Sequence, residues 1–349
     1  MKIIHCSLWG DMEISDLALS IIDTPHFQRL HYIKQTGFGY KVFPGATTSR
    51  FEHSLGVYHL TRRLFKELHS RQEDIGITKE MEELIAVAGL VHDIGHGPFS
   101  HTFDRFMEMC SPGCEYNHHE YRSKIIFRDL VATNDIRLSN EQVEFITERI
   151  CDPPTKNWYD MLINNPISSF DLDKLDYLAR DHVHYGLTMN IDVNRILKNT
   201  RVIDNKLCFC DRIYDEVHLF FFLRERMHQT IYRHSKIIYF ENALLFYMKK
   251  YYDRSILWNE NGEFLVGAFL RQTDGHLLNI LQNASDDWFF LVETRKWKPE
   301  ETFTVKRQDN QWENAINNVY YYKRKNPDEK IFTIKEMNPI HHLLYGPVV

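Results

Sequence analysis

Long apolar runs are missing from this chain of 349 residues. Nothing in it approaches the ~18 consecutive apolar residues of a membrane-spanning helix. The opening stretch MKIIHCSLWGDMEIS meets acid early and has no apolar core, so it does not read as a secretory signal. Paired cysteine spacings are missing too. The six cysteines fall at Cys6, Cys110, Cys114, Cys151, Cys208 and Cys210 with no CxxC pair, which argues against a disulfide framework or a zinc ribbon and for reduced thiols. An excess of positive charge is also absent: 42 basic residues meet 48 acidic ones, for a net charge of −6. That balance argues against nucleic acid as a bulk partner, while leaving room for a local basic pocket. Internal repeats, low-complexity tracts and Pro/Gly-rich linkers do not occur. What remains is a globular composition, long enough to bury a core without disulfides. The sequence reads as soluble and cytoplasmic, in a reducing compartment.

The patterning is mostly helical. DLALSIID is a short amphipathic stretch, and FGYKVFPGATTSR, with Gly37, Gly39, Pro44 and Gly45, reads as loop or short hairpin. From Glu52 onward Val57, Leu60, Leu64 and Leu68 recur on one helical face. The span from about Lys79 to Gly95 is apolar nearly all round and predicts a helix buried inside the domain, stopped by Gly95, Gly97 and Pro98. Further helices are predicted over 140–151, 170–185, 215–235 and 241–251. Later, WFFLVET and KIFTIKE read as strands. The expected architecture is a mostly α main domain over residues 1–255 and a small mixed α/β C-terminal lobe over 256–349.

Chemistry concentrates around His92 and Asp93, at the end of the most buried helix. A charged aspartate there is costly unless paired, and a divalent cation would pair it. Alone, the dipeptide is a weak signal and reads first as a capping histidine and a solvated acid. His96 follows within a turn, His101 comes next, RFEHS supplies His53, and HHE supplies His119 and Glu120. In FDLDKLDYLARD, Asp173, Tyr177 and Asp181 share a helical face. That face is either a solvated acidic stripe or part of a site. Two histidines with two aspartates suit Mn, Fe, Zn or Ni, whereas a Mg site would use mainly oxygen. In FFLRERMHQTIYRHSK, Arg224, His228 and Tyr232 recur every four residues. Arginine forks match phosphate oxygens, though a solvated basic helix is the equal alternative.

RFEHSLGV, AGLVHDIGHGPFSH and DLDKLDYLARD, in that order, resemble the HD-domain deoxynucleoside triphosphate (dNTP) triphosphohydrolases. The likeness runs almost continuously through IIDTPHFQRLHYIKQTGFGYKVFPGATTSRFEHSLGV, covers roughly residues 1–240 and fades after about 255. The resemblance implies an HD-domain helical fold and a divalent metal held by His53, His92, Asp93 and Asp173. It implies a triphosphate held by Arg50, Lys174, Tyr177 and Arg224, with His228 nearby, and a sugar contacted by Gln35, Asp181 and Tyr232. His96, His101 and His119, with Glu120 orienting, would surround the scissile bond, His101 protonating the leaving 5′ oxygen. The implied reaction frees deoxynucleoside and inorganic triphosphate. A homodimer or tetramer and a GTP or dNTP activator bound near Lys2, Asp23, Gln28 and Arg195 are also implied. Two departures stand out. Thr36 replaces a leucine beneath the sugar, which weakens the expected exclusion of a ribose 2′-OH, and Arg233 replaces a glutamine. In the activator site His31 and Cys210 each replace an arginine. Two competing readings are a broader nucleotide phosphohydrolase that accepts ribonucleotides or removes phosphates stepwise, and a nucleotide or single-stranded nucleic-acid binding protein.

Overall fold

The computed structural model describes residues 1–188, 191–294, 315–325 and 331–333. The order is β1 (Lys2–Cys6), β2 (Gly10–Ile14), α1 (Asp16–Ile22), α2 (Pro25–Gln28), α3 (Arg50–His69), α4 (Lys79–Val91), α5 (His101–Cys110), α6 (His119–Thr133), α7 (Asn140–Ile150), α8 (Leu172–His184), α9 (Val193–Lys198), β3 (Thr200–Ile203), β4 (Lys206–Cys210), α10 (Tyr214–Met227), α11 (Ser235–Tyr251), α12 (Val266–Leu270), α13 (Asp274–Ala284), α14 (Asp286–Thr294), β5 (Tyr320–Tyr322) and β6 (Ile331–Thr333). The fold is mostly α, as the patterning predicts. Two small sheets flank it: the antiparallel hairpin β1–β2, and a sheet of order β3-β4-β5-β6 in which only β4 and β5 run parallel. Among the described residues no helix is long and apolar enough to cross a membrane, and all six cysteines are free.

α4 is the buried centre. Every residue from Leu84 to Val91 is buried, consistent with its lack of a polar face. It packs between α3 and α7, and α8 lies along α3. The helix stops at Val91 rather than near Gly95, and the stop has a physical cause in α6. Ser123 Oγ donates to His92 O at 2.6 Å, and Arg122 Nε donates to Gly95 O at 2.9 Å. These side chains satisfy carbonyls there. Gly95 is needed for this approach, because a Cβ there would collide with the backbone of His119 and Ser123. The segment 37–49 combines both sequence readings. A short 3-10 turn covers Gly37–Lys41, while Gln35 N donates to Thr48 O and Arg50 N to Ile33 O, each at 2.9 Å, closing the ends like a hairpin.

One expectation after residue 255 changes. WFFLVET is not a strand but most of α14. Ser285 Oγ accepts from Trp288 N at 3.3 Å, two aspartates sit in the first turn, and Trp288 and Val292 are buried four residues apart. A short apolar run does not by itself distinguish helix from strand, and here the cap decides. KIFTIKE is a strand over Ile331–Thr333, and its remaining residues lie outside the described ones. The shift of character expected near 256 is not matched by a break in the buried core. Trp288 is fully buried with its ring centroid 6.3 Å from that of Phe38, and Leu277 and Leu281 belong to the same cluster as α3 and α4. Trp288→Ala is therefore expected to cost about 3–5 kcal/mol in one cooperative transition covering the whole chain. Denaturant unfolding followed by fluorescence and circular dichroism checks this; a separate early transition for the C-terminal helices is the contrary result.

Candidate functional site: a histidine–aspartate cluster beside a cavity

Four side chains from three helices meet at one point. His53 lies in the first turn of α3, His92 and Asp93 follow the end of α4, and Asp173 is in the first turn of α8. His53 Nε2 is 2.9 Å from Asp173 Oδ1, 3.3 Å from His92 Nε2 and 3.5 Å from Asp93 Oδ2. His92 Nε2 is 3.4 Å from both Asp93 Oδ1 and Asp173 Oδ1. Ligands bound to one ion at ~2.1 Å sit roughly 3.0–3.4 Å apart, so these spacings fit a single cation. The donor orientation fits as well. His92 Nδ1 donates to Gly89 O at 2.8 Å, and His53 Nδ1 faces Asp176 Oδ2 at 2.8 Å. Each ring is thereby held with Nε2 inward, as a metal ligand requires. Burial alone would depress the His53 pKa; its hydrogen bonds to Asp173 and Asp176 outweigh burial and raise it to about 10. Burial works against ionising Asp93 and Asp173 as well, yet Arg50 and His92 hold Asp93, and His53 and His92 hold Asp173, well below the usual carboxylate range. A cation held at this point would compete with a proton for His53 Nε2.

The support beneath His53 is Asp176, to which the sequence pattern assigns no role. It is fully buried. Arg180 Nε and Nη2 donate to its two oxygens at 2.9 Å each, and Trp9 Nε1 donates at 2.6 Å. Burial opposes its charge, but Arg180 and His53 draw its pKa down to about 2. The available signal was the i,i+4 pair Asp176–Arg180; the Trp9 contact, 167 residues away, left none.

The cavity beside this cluster holds about 390 Å³ and is lined by every other expected catalytic and substrate residue. Those are Gln35, Thr36, Arg50, His96, His101, His119, Glu120, Lys174, Tyr177, Asp181, Arg224, His228 and Tyr232. Of the expected metal, catalytic and substrate residues, only His53, fully buried behind Asp173 and His92, is not part of its wall. Such a size is within the ordinary range of small-ligand sites. Three cations face it. Arg50 Nη1 donates to Asp93 Oδ2 at 2.6 Å, Lys174 Nζ donates to Asp171 Oδ2 at 2.6 Å, and Arg224 Nε is buried with no partner. His228–Tyr232 forms a π-helical turn rather than a continuation of α10, and still sets Arg224, His228 and Tyr232 on the wall. Burial and Arg224 push His228 down to about 4, so it is a neutral imidazole. Tyr232 Oη donates to Asp181 Oδ2 at 2.6 Å, and burial lifts Asp181 to about 6.

A second group of imidazoles lines the same cavity. His96 stacks on His119 with centroids 3.8 Å apart, and His101 lies 5.0 Å from His96 and 5.2 Å from His119. Burial, with Arg50 and His119, pushes His96 well below its ordinary pKa. Burial also weighs on His119, but Asp104 outweighs it and raises the pKa. Two stacked rings are thus biased toward opposite charge states. Asp104, missed in the sequence, organises the group: its Oδ2 is 3.0 Å from His119 Nδ1 and 3.2 Å from His101 Nδ1, and Arg122 pairs with its other oxygen. Glu120 Oε2 is further from His119 Nδ1, at 3.4 Å. The signal was the three-residue step from His101 to Asp104. None of Lys2, Asp23, Gln28 and Arg195 lines the cavity; Gln28 Nε2 donates to Ile22 O at 2.9 Å, and Arg195 Nε pairs with Glu216 Oε1 at 2.5 Å.

Gly56 on α3 makes the Asp176 support possible, because a Cβ there would collide with Asp176 Oδ1 and Arg180 Nη2. Gly56→Ala is expected to destabilise by about 1–3 kcal/mol through overpacking and to lower bound divalent metal well below wild type. Thermal unfolding and elemental analysis of the purified chain check this; full metal content would contradict the support assigned to Asp176.

Residues 50–181 match the HD domain family. The deoxynucleoside triphosphate triphosphohydrolase SAMHD1 of Bos taurus is 38% identical over 265 residues, covering 67% of this chain and 45% of that protein. The Homo sapiens protein of the same name is 38% identical over 264 residues, with 67% and 42% covered. A SAMHD1 homolog of Dictyostelium discoideum is 34% identical over 239 residues, with 67% and 46% covered. The chain spans less than half the length of these curated relatives. With the HD motif residues gathered at one point and this likeness over two thirds of its length, the chain belongs to the HD-domain family and is SAMHD1-like.

Proposed function

We propose that this chain hydrolyses deoxynucleoside triphosphates to the deoxynucleoside and inorganic triphosphate. One observation carries the reading: buried cations, among them the unpartnered Arg224 Nε, line the same cavity as the His53, His92, Asp93 and Asp173 cluster. The names of the relatives, deoxynucleoside triphosphate triphosphohydrolases, support it further.

In this reading His53, His92, Asp93 and Asp173 hold a divalent cation. When bound it would lower the pKa of a water and polarise a phosphoryl oxygen; the imidazole-rich donor set favours Mn, Fe, Zn or Ni over Mg. Arg50, Lys174, Tyr177 and Arg224 grip the triphosphate, and His228, neutral, donates a hydrogen bond without adding charge. Gln35, Asp181 and Tyr232 contact the sugar. Water attacks the α-phosphorus, the bond to the 5′ oxygen breaks, and the leaving oxygen takes a proton from His101. That ring is tethered by Asp104 through Nδ1, which leaves Nε2 for the transfer. His96, kept neutral beside Asp93, is placed to accept a proton from the water, and cationic His119 stabilises the negative charge that develops.

A specific observation favours a second reading, acceptance of ribonucleotides. Thr36 lines the cavity, and its hydroxyl lies beside the buried Tyr185 Oη on the same wall. A ribose 2′-OH would meet polar groups there rather than an apolar wall. Thr36→Leu is expected to raise the dNTP-to-NTP preference by roughly tenfold, since an unpaired buried hydroxyl costs about 1–3 kcal/mol; an unchanged ratio refutes the idea.

A panel of dNTPs and NTPs with Mn, Mg and Fe, with and without GTP, read by product chromatography, tests the whole proposal. Triphosphate and nucleoside are the expected products; pyrophosphate or monophosphate would overturn the assigned bond. A GTP effect would support an activator site near Lys2, Asp23, Gln28 and Arg195. Tight retention of RNA with no metal-dependent turnover would instead favour a binding protein. Asp93→Ala is expected to abolish both bound metal and turnover, and surviving turnover would sink the site assignment.

A further inference from the structure

We propose that Asp274, at the start of α13, is a positioning residue that clasps together the two loops carrying Gln35 and His101. Its Oδ2 accepts from Lys34 N at 2.9 Å and its Oδ1 accepts from Phe99 N at 2.7 Å. The carboxylate is 6% exposed and lies 240 and 175 residues from its two partners. It sits outside the HD match at 50–181. For its kinetic arm the inference rests on the function proposed above; its structural arm does not.

What the clasp holds needs holding. Phe99 and Ser100 have φ of 58° and 56°, a conformation L residues adopt only when their surroundings enforce it. Their loop leads directly into His101 and α5. The other loop is tied to it a second time: Ser100 Oγ donates to Lys34 O at 2.7 Å. From there Arg50 Nε donates to Ser100 Oγ at 3.0 Å, Arg50 Nη2 to Gln35 O at 3.3 Å and Arg50 Nη1 to Asp93 Oδ2 at 2.6 Å. An unbroken hydrogen-bonded path therefore runs from Asp274 to the aspartate of the metal cluster.

Asp274 is itself held in place. Thr273 caps α13 by accepting from His276 N at 3.2 Å, which fixes where the helix begins. Arg29 Nε and Nη2 donate to Gln272 O at 3.1 and 2.6 Å, while its guanidinium packs over Phe269. Burial pushes the Asp274 pKa up to about 6, opposed by the two amide hydrogen bonds, Lys34 and Arg29. A carboxylate buried at that cost, spanning the amides of two neighbouring loops that carry cavity residues, is matched to fastening them together.

The test compares wild type with Asp274→Asn, Asp274→Glu and Asp274→Ala in the full chain. Asn keeps the size but turns an NH2 group toward one of the two amides. Hydrogen exchange is followed by mass spectrometry over 31–36 and 95–103, with α4 as the internal reference. The expected result for Asn is exchange about tenfold faster in both loops and unchanged in α4. Turnover of dNTP falls roughly 10- to 100-fold in kcat with KM within about threefold. Bound metal stays at the wild-type level, and Glu recovers part of the loss. If Ala does not fold, the Asn variant decides alone. Unchanged loop exchange in Asn overturns the proposal, and so does faster exchange spread equally over α4. If wild type hydrolyses no nucleotide, the proposed function has failed, while the exchange comparison still decides the clasp.

Discussion

The buried carboxylate of Asp176 has Arg180 and Trp9 around it and His53 above it. Charge this deep is tolerated only with every lone pair engaged, and leaving one partner out is expensive. The need for full satisfaction dictates the helix spacing. α3 must come close enough to α8 for His53 to reach Asp176, which demands a residue without a side chain at Gly56. Once α3 and α8 are locked in that way, His53 and Asp173 face each other. α4 then delivers His92 and Asp93 to the same point from the third side. The ligand cluster follows from how one anion is buried.

Electrostatics on the cavity side has a different logic. The histidines there are not alike: position biases His119 toward the protonated ring and His96 and His228 toward the neutral one. Asp104 on one side and Arg50 and Arg224 on the other set these states. The cavity wall is therefore electrostatically uneven, with the guanidinium and ammonium groups of Arg50, Arg224 and Lys174 on it alongside imidazoles of unlike proton affinity.

Much of this was legible in the sequence for physical reasons. His92 and Asp93 follow the buried apolar half of α4, and the histidines clustered around them in sequence lift the pair above a capping histidine and a solvated acid. Asp173, Tyr177 and Asp181 announce a common face by their four-residue spacing. Resemblance supplied the rest of the ligand and phosphate-binding sets. What escaped was long-range. Trp9 and Asp274 act through contacts that neither helical period nor local composition encodes, and Gly56 is needed only because of what lies across from it. α14 was mistaken for a strand because WFFLVET is too short for its period to speak, and the deciding cap, Ser285, lies outside the apolar run. The end of α4 was misplaced by four residues because α6, not the glycines, terminates it.

The π-helical turn at His228–Tyr232 has its own consequence for how this protein can vary. Each helical residue advances the chain by about 100°. The widened turn delays that rotation, so Tyr232 reaches Asp181 while Arg224 still faces the phosphate side of the cavity. Losing one residue anywhere between them would let the turn relax to an ordinary helix and swing one of the two away from its partner. Substitutions on the outer side of α10 are free to accumulate, but its length is pinned at both ends, so the segment can drift in composition and not in register.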